Sequence, residues 1–297
     1  MPRSNYSLSV GIPLLFVFLW STGFIGAKLG MPYAEPFTFL LVRMIIAAAL
    51  LLLIAVFIRA KWPRTAMLYL HAMITGVLIH GIYLGGVFFA ISKGLDAGIS
   101  ALIVSLQPLI TLMLSVTVLS ESISPQKIAG IALGLAGVII VISSRGIGTD
   151  GLVMIGLISC VFSLFAISAG TVYQKRFCAD IELLPSVCLQ YIGNVLFLTP
   201  VAAAFETMEI SWTPHFIIAM TWLVLALSLG AVLLLMWLLN RGSAGQVASL
   251  FYLVPPFAAV EAWLLFGETL TPVAIAGIAL CGAGVALVQR AKDACSN

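Results

Sequence analysis

Two apolar stretches, placed about half a chain apart, decide the fold. The first reads "AGISALIVSLQPLITLMLSVTVLSESISPQKIAGIALGLAGVIIV" at residues 97–141, and the second reads "AGQVASLFYLVPPFAAVEAWLLFGETLTPVAIAGIALCGAGVALV" at residues 244–288. They align without a gap at an offset of 147 residues, and 17 of the 45 aligned positions are identical. The identities include the prolines Pro108 and Pro255 and the whole block "IAGIAL". This pattern indicates an internal duplication.

The composition places the chain in a membrane. Hydrophobic residues make up 62% of the sequence and charged residues only 8%, and the mean hydropathy is +1.18. Soluble domains carry about 25% charged residues, so this chain has too few charges to cover a water-soluble surface. The apolar runs are much longer than the ~10-residue strands of a membrane barrel, which favours helices. The net charge of +3 gives no argument for binding nucleic acid.

Ten apolar runs approach the ~20 residues that a helix needs to cross the hydrocarbon core. The connections between them are short, which leaves little room for a soluble domain. The predicted spans are 8–28, 37–58, 67–91, 97–119, 126–143, 151–174, 184–205, 215–239, 244–266 and 271–289.

The lysines and arginines orient these spans. Cytoplasmic loops of membrane proteins carry an excess of both residue types. Ten of them fall on one predicted side: Arg3, Arg59, Lys61, Arg64, Lys127, Lys175, Arg176, Arg241, Arg290 and Lys292. Only three fall on the other: Lys28, Lys93 and Arg145. The bias predicts that both termini are cytoplasmic and that the number of spans is even.

The duplication divides the chain into a first repeat, 1–145, and a second repeat, 146–297, with five predicted spans each. Because five is odd, the second repeat must enter the membrane upside down relative to the first. The matched residues Glu121 and Glu268 accordingly fall on opposite predicted sides. Inverted repeats of this kind are typical of secondary transporters, which bind substrate near the midplane between the repeats.

The chain resembles a known family through several of these segments. They are "FLWSTGFIGAKLG" at 18–30, "PFTFLLVRMIIAAALLLL" at 36–53 and, in each repeat, "AG", a proline-centred helix, "SES" or "GET", and "IAGIAL". On these segments it is similar to the EamA-type ten-helix members of the drug/metabolite transporter superfamily, and among them to the YddG-type aromatic amino-acid exporters. The resemblance implies export of small metabolites through a central cavity, in the cytoplasmic (inner) membrane of a bacterium.

Polar and aromatic side chains at the middle of apolar spans are the candidate substrate-binding residues. Such side chains are costly to expose to lipid, so we expect them to face the bundle interior. They either line the cavity or form interhelical hydrogen bonds that only hold the helices together. His80 and Tyr83 lie one helical turn apart on the same face of the third span. The full set is Trp20, His80, Tyr83, Gln107, Ser163, Ser168 and Tyr252.

Three prolines are candidates for helix bends or gates. Pro108 and Pro255 occupy matched positions in the two repeats, and Pro256 follows the second. A proline inside a helix removes one backbone hydrogen bond and clashes with the preceding turn. The alternative to a gate is a kink that serves packing alone.

Two charged residues fall inside predicted spans, Arg43 and Glu261. Both are predicted in the outer half of the membrane, and they are candidates for a mutual ion pair. Glu261 is also a candidate proton-coupling carboxylate, and the alternative is a side chain that reaches an aqueous vestibule.

The function predicted from these observations is that of a secondary transporter. It would export aromatic or neutral amino acids by alternating access, with the substrate, the lipid bilayer and a second copy of the chain as candidate partners. The alternatives left open are a lipid flippase, a channel-like facilitator, or a transporter of nucleotide sugars or drugs. The sequence has no HExxH or GxSxG motif and no paired mid-span carboxylates, and its five cysteines lack ligand spacing. We therefore predict no enzymatic activity, no metal and no cofactor.

Overall fold

The computed structural model describes residues 4–95, 97–119, 124–143, 151–266 and 272–290, and within these ranges the chain is built from helices. In the first half the helices are α1 (Ser4–Gly30), α2 (Pro36–Phe57), α3 (Ala66–Gly76), α4 (Tyr83–Ser92), α5 (Ala97–Val104), α6 (Gln107–Leu119) and α7 (Pro125–Ser143). In the second half they are α8 (Gly151–Phe177), α9 (Leu183–Phe205), α10 (Pro214–Trp222), α11 (Val232–Arg241), α12 (Ala244–Ser249), α13 (Val254–Phe266) and α14 (Pro272–Arg290). Glu121 and Glu268, which the sequence places on opposite sides, lie outside the described residues.

Many of these helices are long and apolar enough to cross a membrane. In the described ranges there are seven: Gly11–Tyr33, Pro36–Phe57, Ala66–Ser92, Gly151–Phe177, Leu183–Phe205, Pro214–Arg241 and Gln246–Leu265. Two shorter apolar helices are Gln107–Leu119 and Ile275–Val288. The fold is therefore all-helical with several membrane spans, and the count of ten remains a prediction.

Two of the long spans contain a stretch of π-helix. The segment π1 (Val77–Ile82) joins α3 to α4, and the segment π2 (Leu223–Ala231) joins α10 to α11. Adding the repeat offset of 147 to 77–82 gives 224–229, which lies inside π2. π-Helical turns are rare and are frequent at functional sites. Segment π1 packs against α8 and α9, whereas π2 packs against α1 and α2.

Helices α7 and α14 pack against each other through small residues. A Cβ atom added at Gly130 would lie 2.8 Å from the Gly284 carbonyl oxygen, and one added at Gly137 would lie 2.6 Å from the Gly277 carbonyl oxygen. Between these two contacts, the Cys281 thiol donates to a carbonyl of α7 at 3.6 Å. Small residues allow helix backbones to approach closely in a membrane, so this seam has no room for larger side chains.

Helices α2 and α9 run antiparallel and are connected at both ends. At the start of α2, Glu206 accepts hydrogen bonds from the Thr38 backbone N–H at 2.6 Å and from the Thr38 hydroxyl at 2.7 Å. At the start of α9, Glu182 accepts a hydrogen bond from the Lys61 backbone N–H at 2.9 Å. Both glutamates belong to the second half of the chain, and each holds a segment of the first half. Glu206 holds the first turn of α2, and Glu182 holds the loop that follows α2.

Candidate functional site

A layer of buried polar side chains lies between the two halves of the bundle, and its contacts join residues of one half to residues of the other. All of them are less than 2% exposed, in a body that is otherwise apolar. Buried polar groups at membrane depth are expensive and mark functional pathways more often than packing. The members used below are Arg43, His80, Gln107, Thr111, Thr171, Gln190, Asn194 and Ser228.

Aromatic rings form one wall beside this layer. The Trp20 and Tyr83 rings are stacked, with centroids 6.4 Å apart and planes 8° apart. The Trp20 indole N–H donates to the Tyr83 hydroxyl at 3.4 Å. Together with Arg43, Phe24 and Phe88 they line a cavity of about 20 Å³, which is space for about one water molecule.

Arg43 is one of the residues that line this cavity. Its Nε donates to the Ser228 hydroxyl of π2 at 2.8 Å. Its Nη1 and Nη2 have no hydrogen-bond partner among the described residues, although the side chain is fully buried. A buried charge without a counter-charge is strongly destabilising, so these four N–H groups are the most conspicuous unsatisfied donors of the site.

His80 connects π1 to α9. Its Nε2 lies 3.3 Å from the Gln190 side-chain oxygen, and its ring meets the Tyr191 ring edge-on with centroids 4.9 Å apart. Because an amide oxygen only accepts, this contact places the imidazole proton on Nε2. Nδ1 is then an acceptor, and it has no partner in the described structure. His80 thus makes an interhelical hydrogen bond and also keeps one free acceptor.

Gln107 contributes a second free acceptor. Its Nε2 donates to the Thr171 hydroxyl of α8 at 3.2 Å. The Gln107 Oε1 and the Thr111 hydroxyl, one turn later in α6, are buried and have no partner within the described ranges. Gln190, the partner of His80, also donates to the Gln174 side-chain oxygen at 3.2 Å. Gln174 lies about one turn from Thr171 in α8, so the polar layer continues from His80 towards α6.

Two of the predicted binding residues use their hydroxyl protons locally. Ser163 donates to the Ser159 carbonyl at 2.9 Å, and Ser168 donates to the Leu164 carbonyl at 2.8 Å. Both are bonds to the preceding turn of their own helix, which is a common arrangement for serine inside a helix. The structure therefore does not bring these two residues into the layer as donors.

The prolines lie at helix starts. Pro108 is the second residue of α6, while Pro255 and Pro256 are the second and third residues of α13. A proline in the first turn of a helix costs no hydrogen bond because its position has no intrahelical partner. Each break precedes a proline: residues 105–106 separate α5 from α6, and a 3₁₀ turn, Leu250–Leu253, separates α12 from α13.

Tyr252 lies in the second of these breaks, away from the Trp20–Tyr83 pair. It is fully buried, its ring packs on Gly134 of α7, and its hydroxyl has no partner in the described residues. Its neighbour Phe251, which the sequence did not single out, packs edge-on against Trp20 with centroids 5.3 Å apart.

The hypothesis of an ion pair between Arg43 and Glu261 is wrong for this structure. Glu261 Oε1 is hydrogen-bonded to the Ser21 hydroxyl at 2.5 Å, and Arg43 is bonded to Ser228 instead. Two consecutive residues of α1 face these two sites: Ser21 contacts Glu261, and Trp20 lines the cavity that Arg43 lines. Glu261 lines a separate cavity of about 460 Å³ between α1, α10 and α13.

Sequence reasoning missed several members of the layer, above all Gln190, Tyr191, Asn194 and Ser228. One signal was available, because position 190 lies 147 residues after Arg43 and is its matched position in the second repeat. Ser228 had no comparable signal, because a serine in an apolar helix is common and its partner depends on helix rotation.

Comparisons with known proteins identify the family. The model of the EamA-like transporter family matches residues 9–143 and again 154–290. The uncharacterized transporter YvbV of Bacillus subtilis is 29% identical over 99% of this chain and 94% of its own length. A probable amino-acid metabolite efflux pump of Salmonella typhimurium is 26% identical over 92% of each chain. The uncharacterized inner membrane transporter YedA of Escherichia coli is 26% identical, over 92% of this chain and 88% of its own.

A crystal structure with the same fold covers 96% of both chains with a TM-score of 0.77, at 19% sequence identity. At this identity the likeness extends to the fold alone. Taken with the family matches in both halves, the apolar helices and the buried polar layer, it leads to one assignment. The chain belongs to the EamA-like transporter family of the drug/metabolite transporter superfamily, and it is a multi-pass transporter of the bacterial inner membrane, not an enzyme.

Proposed function

We propose that this transporter exports neutral amino acids, aromatic ones foremost, by alternating access. The substrate would bind in the polar layer between two inverted five-helix repeats, 1–145 and 146–297, in a molecule of ten spans with both termini in the cytoplasm. The relatives named as probable amino-acid metabolite efflux pumps support the substrate class, and the geometry of the site supports it independently.

Contacts at matched positions support the inverted repeat. The π-helical segments coincide once the offset of 147 is applied, and the family model matches each half of the chain separately. In the α7–α14 seam, Gly130 is matched with Gly277 and Gly137 with Gly284, and each contacts the partner of the other. A two-fold axis lying in the membrane plane produces such reciprocal contacts.

The observation that carries the substrate assignment is the guanidinium of Arg43. Its Nη1 and Nη2 are buried and unsatisfied, and a planar guanidinium binds a carboxylate through two parallel hydrogen bonds. The α-carboxylate of an amino acid supplies the missing negative charge and both acceptors. Residue 43 would thereby be the anchor for the backbone end of the substrate.

The remaining groups of the site fit the rest of an amino acid. The stacked Trp20 and Tyr83 rings beside Arg43 offer faces on which an aromatic side chain stacks. The free acceptors, Nδ1 of His80 and Oε1 of Gln107, suit an ammonium group, which only donates. The carboxylate of such a substrate would meet the one cation of the site, and its ammonium group would meet neutral acceptors.

The size of the cavity supports alternating access. At about 20 Å³ it is far too small for an amino acid, since ligand pockets usually measure about 300–1,000 Å³. Substrate therefore enters only when helices on one side of the layer move apart. The π segments, which lie directly at the layer, are the expected points of bending.

The test is counterflow of labelled amino acids in proteoliposomes, with tryptophan, phenylalanine and their decarboxylated amines as competitors. Hydrogen bonds to a charged group are worth about 1.5–3 kcal/mol, so the amines should compete about 10- to 100-fold less well than the amino acids. In R43Q this preference should disappear. The matched control R64Q, which changes an exposed arginine, should keep the wild-type preference.

Equal competition by amines and amino acids in the wild-type protein would place the carboxylate away from Arg43. Movement of a nucleotide sugar without movement of any amino acid would contradict the substrate class.

A second candidate, transport of a lipid or amphiphile, is favoured by one observation, the 460 Å³ cavity with exposed apolar residues between α1, α10 and α13. Flip of a labelled lipid in the same vesicles distinguishes it.

A further inference from the structure

The contact between α1 and α13 holds a buried carboxyl group. Glu261 of α13 is 6% exposed, and its Oε1 lies 2.5 Å from the Ser21 hydroxyl of α1. The same hydroxyl lies 2.8 Å from the Phe18 carbonyl oxygen. The other carboxyl oxygen, Oε2, is buried without a partner among the described residues.

The protons in this arrangement can be counted. Ser21 has one hydroxyl proton, yet its oxygen is within hydrogen-bond distance of two oxygens, Phe18 O and Glu261 Oε1. If Ser21 donates to the carbonyl, which cannot donate, then the second short contact needs a proton from the carboxyl group. A protonated Glu261 satisfies both contacts at once, whereas an ionised one would leave a charged Oε2 buried with no donor. The geometry therefore favours the neutral acid.

No cation offsets the charge of an ionised Glu261 in the described part of the chain. Helix α1 presents the hydroxyls of Ser21 and Thr22, and α5 carries no ionisable residue. The adjoining 3₁₀ turn presents Tyr252, whose ring packs on α7. The ionisable group that α10 presents to the same cavity is His215, which is exposed in the first turn of that helix.

Glu261 and His215 line the same cavity of about 460 Å³. Its walls are mostly apolar, with polar groups at Thr22, Glu261 and His215. The Thr22 hydroxyl also accepts a hydrogen bond from the Trp222 indole N–H at 3.0 Å, which joins α10 to α1 along the wall. His215 lies at the beginning of α10, which is the predicted outer end of that span.

Helix α1 connects the carboxyl group of Glu261 to the proposed substrate site. Ser21 directly follows Trp20, which stacks on Tyr83 in the polar layer. After loss of the proton, Ser21 can donate to Glu261 only by leaving the Phe18 carbonyl. The charge on the partnerless Oε2 then requires water, so α13 and α1 would have to separate there. Such a movement displaces Trp20 from its place beside Arg43.

We propose that Glu261, held by Ser21, is a proton-binding site that couples export of the amino acid to entry of a proton. This inference rests on the proposed function. Coupling between two binding sites is reciprocal, so bound substrate should change the proton affinity by the same factor by which the proton changes substrate affinity.

The first test uses proteoliposomes that are acidic inside, with valinomycin and equal potassium concentrations on both sides to hold the membrane potential at zero, because this exchange moves one net charge. With one proton exchanged per substrate, the wild-type protein should accumulate labelled amino acid about tenfold per unit of pH difference, since 1.4 kcal/mol corresponds to tenfold. E261Q, which imitates the protonated acid, should keep counterflow but equilibrate to a ratio of one at every pH difference. The matched control E209Q, in an exposed connection between α9 and α10, should accumulate like the wild type.

The second test needs no substrate. An infrared band of a protonated carboxylic acid should be present in wild-type protein at neutral pH, absent in E261Q and shifted in S21A, which keeps the carboxyl group but removes its partner. Absence of the band overturns the proton site. Normal counterflow with no response to the pH difference overturns the coupling and leaves the proposed function intact. A band of the expected behaviour, with no amino acid transported in any assay, supports the proton site and contradicts the proposed substrate class.

Discussion

Replacement of Gly76 by alanine tests how closely α3 packs on α9. A Cβ atom at position 76 would lie 1.9 Å from the Gln190 carbonyl oxygen, and real Cβ contacts essentially never fall below 3.0 Å. The two backbones must therefore part by at least 1.1 Å, the difference between those distances. Overpacking costs up to about 3 kcal/mol, and alanine recovers about 1 kcal/mol of helix preference, so we expect a net loss of about 2 kcal/mol.

The assay is thermal unfolding of the purified protein in detergent, with size-exclusion chromatography to establish that the variant is folded. A loss of about 2 kcal/mol corresponds to a midpoint lowered by roughly 4–8 °C in a chain of this size. The matched control is G282A in α14, where an added Cβ meets nothing within 4 Å and should raise the midpoint slightly. A G76A midpoint equal to or above that of G282A would refute the close packing of α3 on α9.

Two further predictions concern side chains at the ends of helices. The Lys175 ammonium group donates to two backbone carbonyls at the end of α11, at 2.8 and 2.5 Å. The variant K175M should therefore lose about 1–3 kcal/mol of unfolding free energy, whereas R176M, which alters an exposed neighbour, should not. Equal thermal midpoints for the two variants would contradict this prediction. Hydrogen bonds from the Thr207 hydroxyl and backbone N–H lower the pKa of Glu35 below its ordinary 4.5. The contribution of Glu35 to the stability of the folded protein is therefore present at neutral pH and is lost as the pH falls through the lowered pKa. E35Q should therefore unfold below the wild type at pH 7, with a difference that vanishes in acid, and a difference that is constant with pH would count against this role.

Much of the fold could be predicted from the sequence because hydropathy and periodicity report it directly. The prediction of a helical membrane protein, of the family and of the membrane location is confirmed. The π-helical turns were not predicted, because one extra residue per turn leaves hydropathy unchanged in a run such as Val77–Ile82. In the structure π1 lies against α8 and α9, a packing that the order of residues does not report.

The candidate site was less accessible to sequence reasoning. Unusual residue types in apolar spans pointed to Trp20, His80, Tyr83 and Gln107, and the structure places all four at or beside one buried layer. Their partners depend on the rotation of each helix about its axis, which the amino-acid order does not report. The same limitation explains the error over the pairing of Glu261, which lines a different cavity from the one that Arg43 lines.

The two repeats differ where their symmetry would matter most for a substrate. Arg43 and position 190 are matched, yet the second repeat has a glutamine there. Arg43 reaches across to Ser228 in π2, and Gln190 reaches across to His80 in π1, so each side chain contacts the π segment of the opposite repeat. Two arginines would place two unpaired buried charges in one layer, and two glutamines would leave no cation for a carboxylate. If the helices alternate as proposed, the near-symmetry of the two repeats permits inward-open and outward-open forms of similar energy. The single cation, Arg43, would then orient one zwitterionic substrate in both forms.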